Sequence, residues 1–189
     1  MRIDGAGFAI RSYRAGDAEA LARRADNPRV AENLRDLFPH PYTLADAREW
    51  LSVALRQDPE TNFALEVEGS LAGTIGLELG EDVYRHSAEI GYWLAEEYWG
   101  RGIASAAVDR LAAWGFEELG LLRIHAFVFA SNPASARVLE KARFELEGRM
   151  RNAVVKNGRV MDQLVYAKLG PGDGDGVPRR RAGAAESGE

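Results

Sequence analysis

The stretch from Ala88 to Ser105, AEIGYWLAEEYWGRGIAS, decides the fold of this chain. Its first half alternates with a period of two, so that Ile90, Tyr92 and Leu94 lie on one face of a predicted strand. Two glycines, at 100 and 102, then permit a tight turn. The residues that follow repeat at helical spacing, with an apolar face made of Ile103, Ala107, Val108, Leu111, Gly115 and Leu119. We therefore predict a strand, a glycine-bearing turn and an amphipathic helix in immediate succession.

A glycine-bearing turn at the start of a helix is typical of anion binding, because the first backbone N–H groups of a helix lack internal partners. Gly100 and Gly102 let these donors approach an anion, and Arg101 adds a forked cation suited to phosphate oxygens. A merely structural connection is the alternative interpretation. The nucleotide P-loop pattern is absent, and the next predicted strand, at 123–129, carries no acidic residue for a ribose, which disfavours a dinucleotide fold.

These residues resemble the GNAT N-acetyltransferase superfamily, whose signature for the pyrophosphate of coenzyme A is [QR]-x-x-G-x-[GA]. The corresponding residues here are Trp99, Gly100, Arg101, Gly102, Ile103 and Ala104. Only the first position departs from the signature, since Trp99 replaces Gln or Arg. The segments EIGYWL and YWGRGIA are similar to the branch of ribosomal-protein N-terminal (serine/alanine) acetyltransferases, in which Trp is common at that position.

The predicted order of elements agrees with this resemblance over about residues 8–169. That order is a strand at 8–13, helices at 17–25, 28–34 and 43–57, a hairpin at 63–79, the central strand, the helix up to 118, a strand at 123–129, a helix at 134–142 and a hairpin at 144–168. The resemblance implies an α+β fold, a GNAT acyl-CoA N-acyltransferase fold with a mixed, mostly antiparallel sheet of six to seven strands flanked by helices.

The segments at 33–51 and 130–151 also resemble this branch, except that Arg143 replaces a usual Gly. If that position needs a positive φ, Arg143 is strained there. We predict one acetyltransferase domain at 1–169. Residues 170–189 are rich in Gly and charged residues and have little to bury, so we predict a disordered tail.

Composition narrows the class of protein. The chain has 189 residues, a net charge of −5 and no Cys. An acidic balance disfavours nucleic-acid binding, and the lack of Cys excludes disulfides and cysteine-ligated zinc. We find no signal segment and no apolar run long enough to span a membrane, and we expect a cytoplasmic protein. A monomer and a homodimer are both compatible with the sequence.

The resemblance implies acetyl-CoA as co-substrate and no metal. In this family the pantetheine arm pairs with the backbone of the central strand, here near Tyr92, Trp93 and Leu94. Asn132 is then implied to hydrogen-bond the arm from the other side. Its alternative role is a helix cap before Pro133.

Acetyl transfer to an amine needs a base, an oxyanion donor and a proton for the leaving thiolate. Glu89 is the first candidate for the base, ordered water is the alternative, and Glu78 is a weaker candidate. A backbone N–H near Trp93 or Leu94 can serve the oxyanion. The resemblance makes Ser135 the candidate acid. It also puts His40, in the PHPY loop, on the acceptor side as a candidate substrate contact.

The sequence therefore predicts an acetyl-CoA-dependent N-acetyltransferase in which an amine attacks directly within a ternary complex. The acceptor is either a protein N-terminus or a small-molecule amine such as an aminoglycoside, a polyamine or an amino acid. The alternative is a non-catalytic acyl-CoA-binding module that serves as a sensor or interaction partner.

Overall fold

The computed structural model describes residues 1–171 of the chain. The predicted tail at 170–189 lies outside these residues except for its first two positions. Gly170 donates its backbone N–H to the carbonyl of Leu122 at 2.9 Å, so the chain is still attached to the domain there. In the described part of the chain, no helix is long and apolar enough to cross a membrane.

In residues 1–171, eight strands form a single sheet. They are β1 (Arg2–Gly5), β2 (Phe8–Arg11), β3 (Asn62–Val67), β4 (Ser70–Leu79), β5 (Ser87–Leu94), β6 (Arg123–Phe129), β7 (Glu145–Lys156) and β8 (Arg159–Leu169). Their spatial order is β1-β2-β3-β4-β5-β6-β8-β7. Within the described residues only β5 and β6 pair in parallel, so the sheet is mixed and mostly antiparallel, as predicted.

The predicted count of six to seven strands was too low by one, and the missing strand is β1. It pairs antiparallel with β2 at the edge of the sheet, from Arg2 opposite Arg11 to Gly5 opposite Phe8. Its sequence, RIDG, has only four residues and one large apolar side chain. A segment this short gives no alternating pattern that a sequence reading can detect.

The described chain has five α-helices: α1 (Ala18–Ala25), α2 (Pro28–Ala31), α3 (Leu44–Ala54), α4 (Ile103–Leu119) and α5 (Pro133–Lys141). The predictions extended α2 and α3 too far, to 34 and 57. In both cases the chain continues in tighter turns with bonds to the third residue back, such as Leu34 N–H to Ala31 and Gln57 N–H to Ala54. The apolar spacing of such turns looks helical in sequence.

The two faces of the sheet carry separate hydrophobic cores. Ile90 and Leu94 of β5 pack in the larger core, with residues of α4 and α5. Trp93 packs on the other face, in a smaller core with residues of α1 and α3. The alternation that the sequence predicts for β5 is therefore present, and the strand contributes to both cores.

The parallel pairing of β5 with β6 is short. It joins Ser87 to Arg123, Ala88 to Ile124 and Glu89 to His125, and then it ends. Beyond that point β5 stays with β4 up to Leu94, whereas β6 stays with β8 up to Phe129. The two strands diverge, and the second half of β5 has one edge without a partner strand in the described chain.

Helix α5 ends in a Schellman motif. Phe144 N–H donates to Leu139 at 2.9 Å, and Arg143 N–H donates to Glu140 at 3.0 Å. In this motif the residue after the cap takes a left-handed conformation, which glycine adopts at least cost. Arg143 occupies this position with a φ of 63°. This position therefore needs a positive φ, and Arg143 is strained there.

We predict that Arg143→Gly stabilises the protein by about 0.5–1 kcal/mol, because relief of the left-handed strain outweighs the added freedom of the unfolded chain. The free energy of unfolding in urea measures this effect. Arg143→Ala is the matched control, since it removes the same exposed side chain but keeps the Cβ. An equal gain in both variants would show that the side chain, rather than the backbone, is responsible.

Candidate active site

Two cavities meet where β5 and β6 diverge. The first has a volume of about 420 Å³ and lies between β5, the start of α4 and helix α5. The second, of about 570 Å³, lies on the side of α3 and the loop before it. Leu34, Tyr92 and Trp93 line both. A molecule in one cavity can therefore contact a molecule in the other along β5.

The turn before α4 has the geometry of an anion site. Gly100 and Gly102 have φ angles of 74° and 77°, which other residues adopt only with strain. The first backbone hydrogen bond of α4 runs from Ala106 N–H to the carbonyl of Gly102. The N–H groups of residues 103–105 thus have no partner within the helix. Gly100, Gly102, Ile103 and Ala104 all line the first cavity.

Arg101 does not line this cavity. Its guanidinium lies 3.4 Å from a carboxylate oxygen of Glu68 and 5.4 Å from the ring centre of Tyr98. The predicted use of its side chain for phosphate oxygens therefore has no support from this geometry.

Three other cations line the first cavity, namely Arg29, Arg137 and Lys141. None of these three residues was predicted to lie in the site. The spacing of Arg137 and Lys141, four residues apart on one helix, was a usable signal, because it puts both on one face. No local pattern marked Arg29, which reaches the cavity from a different part of the chain.

Trp99 holds the loop between β5 and α4. Its indole N–H donates to the carbonyl of Leu94 at 2.7 Å. The guanidinium of Arg29 lies over its ring, 5.2 Å from the ring centre, and also pairs with Glu96. A Gln or Arg at position 99 has no flat aromatic face on which a guanidinium can stack. Trp99 therefore acts as a platform for one of the cavity cations.

The free edge of β5 presents alternate backbone groups. Ala95 N–H donates to Ala72 on the neighbouring side, so the backbone groups of Trp93 also point toward β4. Those of Tyr92 and Leu94 then point to the free edge, where the Leu94 carbonyl is already bonded to Trp99. Of the two predicted oxyanion donors, the Leu94 N–H is therefore the one at the free edge.

The second cavity is acidic and aromatic. Carboxylates from α3, β4 and β5 line it, and among its described lining residues Arg35 is the one cation. The lining carboxylates are Asp46, Glu49, Glu78 and Glu89, and the lining aromatic residues are Phe38, Tyr42, Trp50, Tyr92 and Trp93. Such a surface favours a positively charged molecule with an apolar part.

Glu89 lies in this cavity on a strand, with Glu78 directly opposite on β4. Burial raises the pKa of the Glu89 carboxyl, Arg35 opposes this rise, and Glu78 adds to it. Arg35 lies 3.4 Å from a carboxylate oxygen of Glu78, so the same cation pairs with Glu78 and lowers the pKa of Glu89. A carboxylate with a raised pKa accepts a proton more readily near neutral pH.

Ser135 and Asn132 line the first cavity, near the junction with the second. The side-chain oxygen of Asn132 accepts the backbone N–H of Ser135 at 3.1 Å, which is the helix cap that the sequence analysis gave as its alternative role. The cap uses Oδ1 and leaves the two Nδ2 hydrogens for another partner. The Ser135 hydroxyl lies 2.8 Å from the hydroxyl of Tyr92.

His40 is not among the residues that line the second cavity, although its neighbour Pro39 is. Its Nδ1 lies 3.4 Å from a carboxylate oxygen of Asp26. The predicted contact with the acceptor therefore lacks geometric support. No set of three or more His, Cys, Asp or Glu side chains within residues 1–171 is arranged to hold a metal ion.

Known proteins resemble this chain in sequence and in fold. Residues 8–145 match the family model described as the acetyltransferase (GNAT) domain. The putative ribosomal N-acetyltransferase YdaF of Bacillus subtilis is 40% identical over 148 residues, which are 77% of this chain and 74% of that protein. The uncharacterized N-acetyltransferase YoaA of the same organism is 42% identical over 101 residues, which span 53% of this chain and only 56% of that protein.

Among solved structures, Mycobacterium smegmatis RimJ in complex with CoA disulfide superimposes with a TM-score of 0.77 and 26% identity. That match covers 86% of this chain and 81% of RimJ. The family match extends over most of the chain and includes the glycine-bearing turn, β5 and α5. The match to the family model and the similarity to YdaF show that this chain is a member of the GNAT acetyltransferases.

Proposed function

We propose that this protein transfers the acetyl group of acetyl-CoA to a primary amine by direct attack within a ternary complex. The observation that carries the proposal is the meeting of two cavities at the free edge of β5. One cavity offers backbone donors and cations to a phosphate-bearing molecule, and the other offers carboxylates to a cation. Reactants that occupy both come together beside Tyr92 and Trp93.

The first cavity suits the phosphates and pantetheine arm of acetyl-CoA. The free N–H groups at the start of α4 would bind the pyrophosphate, and Arg29, Arg137 and Lys141 would supply cations around it. The arm would pair with the free edge of β5 as an added strand does, with Asn132 on the other side. The complex of RimJ with CoA disulfide supports this use of the cavity.

The second cavity suits the amine. An aliphatic amine has a pKa near 10 and reaches the enzyme as an ammonium ion, which the carboxylates attract. Glu89 would take one proton, directly or through water, and the free nitrogen would attack the thioester carbon. The C–N bond forms, the C–S bond breaks, and the Leu94 N–H would stabilise the oxyanion. The acceptor is a small amine or a protein N-terminus, the two classes the sequence analysis left open.

We expect thiol release from acetyl-CoA to depend on an amine, and we expect Glu89→Gln to lower kcat/KM roughly 100-fold or more. A thiol reagent measures the release across a panel of N-terminal peptides, polyamines, aminoglycosides and amino acids. Glu81→Gln is the matched control, because Glu81 is exposed and lines neither cavity. Binding of acetyl-CoA without release for any acceptor would favour the non-catalytic module instead.

The pH dependence of kcat/KM tests the role of Glu89 in a second way. The base must be deprotonated, so activity falls as the pH drops through the raised pKa of Glu89. Glu78→Gln removes the neighbouring negative charge that raises this pKa, and it should move the acidic limb to lower pH. Arg35→Gln removes the opposing cation and should move the limb to higher pH. Identical limbs in all three proteins would exclude Glu89 as the titrating base.

Arg137→Ala and Lys141→Ala should each weaken acetyl-CoA binding roughly three- to tenfold at low salt, with a smaller effect at high salt because exposed charges are screened. Isothermal titration calorimetry at two salt concentrations measures both effects. Arg110→Ala, an exposed cation of α4 that does not line the cavity, is the control. A loss that does not change with salt would indicate altered packing of α5 rather than a lost charge.

A further inference from the structure

We propose that Tyr92 is a positioning residue for Ser135, whose hydroxyl it holds as a hydrogen-bond donor to the leaving sulfur of the coenzyme. The inference rests on the proposed function, because it takes the first cavity as the coenzyme site. It assigns Tyr92 a role beyond that of its backbone at the free edge of β5. The two hydroxyls belong to different elements, β5 and α5, and are brought together only by the fold.

The geometry around Ser135 is fixed on two sides. The Tyr92 Oη lies 2.8 Å from Ser135 Oγ and 3.3 Å from the Ser135 carbonyl oxygen. The backbone N–H of Ser135 is bonded to Asn132 at 3.1 Å. Both the backbone and the side chain of Ser135 are therefore held in the first cavity, beside Tyr92, which lines both cavities.

The number of hydrogens limits how these bonds can form. A tyrosine hydroxyl has one hydrogen, and a serine hydroxyl has one hydrogen and two lone pairs. When Tyr92 donates to Oγ, the serine hydrogen is free for a partner in the cavity. Burial raises the pKa of Tyr92 to about 12, so it keeps its hydrogen at neutral pH and remains a donor. With the bond in this direction Ser135 has a hydrogen to give, whereas the opposite direction, which the 2.8 Å distance equally allows, would use it.

The reaction needs such a donor when the C–S bond breaks. The sulfur leaves with the bonding electron pair, while the new C–N bond leaves a surplus proton on nitrogen. Nitrogen gives up that proton and sulfur gains one, so the overall reaction yields an amide and a thiol. A hydrogen bond from Ser135 would disperse the charge on sulfur before its proton arrives. Tyr92 itself gains and loses no proton in this scheme.

The acidity of bound coenzyme A tests the inference without any acceptor amine. Thiolate absorbs in the ultraviolet near 240 nm, and a pH titration of the complex gives the pKa of the bound thiol. Ser135→Ala removes a donor to the thiolate and should raise that pKa by roughly half a unit to one unit. Tyr92→Phe should raise it in the same direction, and the double variant should raise it no further than Ser135→Ala.

Steady-state rates give a second readout. With any acceptor that supports thiol release, Tyr92→Phe and Ser135→Ala should each lower kcat roughly three- to tenfold, with little change in KM for acetyl-CoA. The two effects should not add, because Tyr92 acts only through Ser135. The control is Tyr166→Phe, which removes another tyrosine hydroxyl that is bonded to α5, through Glu140 at 3.0 Å, and that lines neither cavity.

The outcomes separate the two proposals. If the wild-type protein does not bind coenzyme A, the proposed function fails and this inference fails with it. If it binds but Tyr92→Phe leaves the thiol pKa and kcat unchanged, only the inference is overturned. An effect of Tyr166→Phe equal to that of Tyr92→Phe would mean that docking of α5 is responsible. Additive effects in the double variant would mean that Tyr92 acts on its own.

Discussion

The end of parallel pairing between β5 and β6, at Glu89 and His125, is the constraint on which both cavities depend. A strand in the middle of a sheet normally has both edges bonded, which leaves no backbone groups for a ligand. Here β4 follows β5 up to Leu94 and β8 follows β6 up to Phe129, so each diverging strand is supported from its outer side. The sheet can therefore open in its centre without losing its order.

The glycine-bearing turn lies at the end of the same strand, because the chain leaves β5 at Leu94 and enters α4 at Ile103. Trp99 fixes that connection through its bond to the Leu94 carbonyl, and it carries Arg29 on its ring. One residue thus ties the loop to the end of β5 and to a cation from the α1–α2 region. The departure from the family signature at this position consequently has a structural use.

The sequence predicted those structural features that arise from residues close together in the chain. The strand alternation of β5, the two glycines and the spacing of α4 are local patterns, and they were sufficient to predict this strand, the glycine-bearing turn and the helix that follows it. Side-chain directions at the surface were not predictable in this way. Arg101 pairs with Glu68 in the turn between β3 and β4. Arg29 reaches the cavity through contacts with Glu96 and Trp99. Both outcomes depend on tertiary neighbours, and the short edge strand β1 depends on pairing with β2.

Alternation along β5 also explains why the Glu89 carboxylate and the Ser135 hydroxyl lie in different cavities. Glu89, Gly91 and Trp93 point to the face covered by α1 and α3, and the first of these contributes a carboxylate to the second cavity. Ile90, Tyr92 and Leu94 point to the face covered by α4 and α5, where Tyr92 meets Ser135. In the proposed reaction, a proton acceptor for the amine and a hydrogen-bond donor for the sulfur are needed on opposite sides of the thioester. Glu89 and Tyr92 are enough to place these two groups on opposite faces of β5, because successive side chains leave a strand in opposite directions.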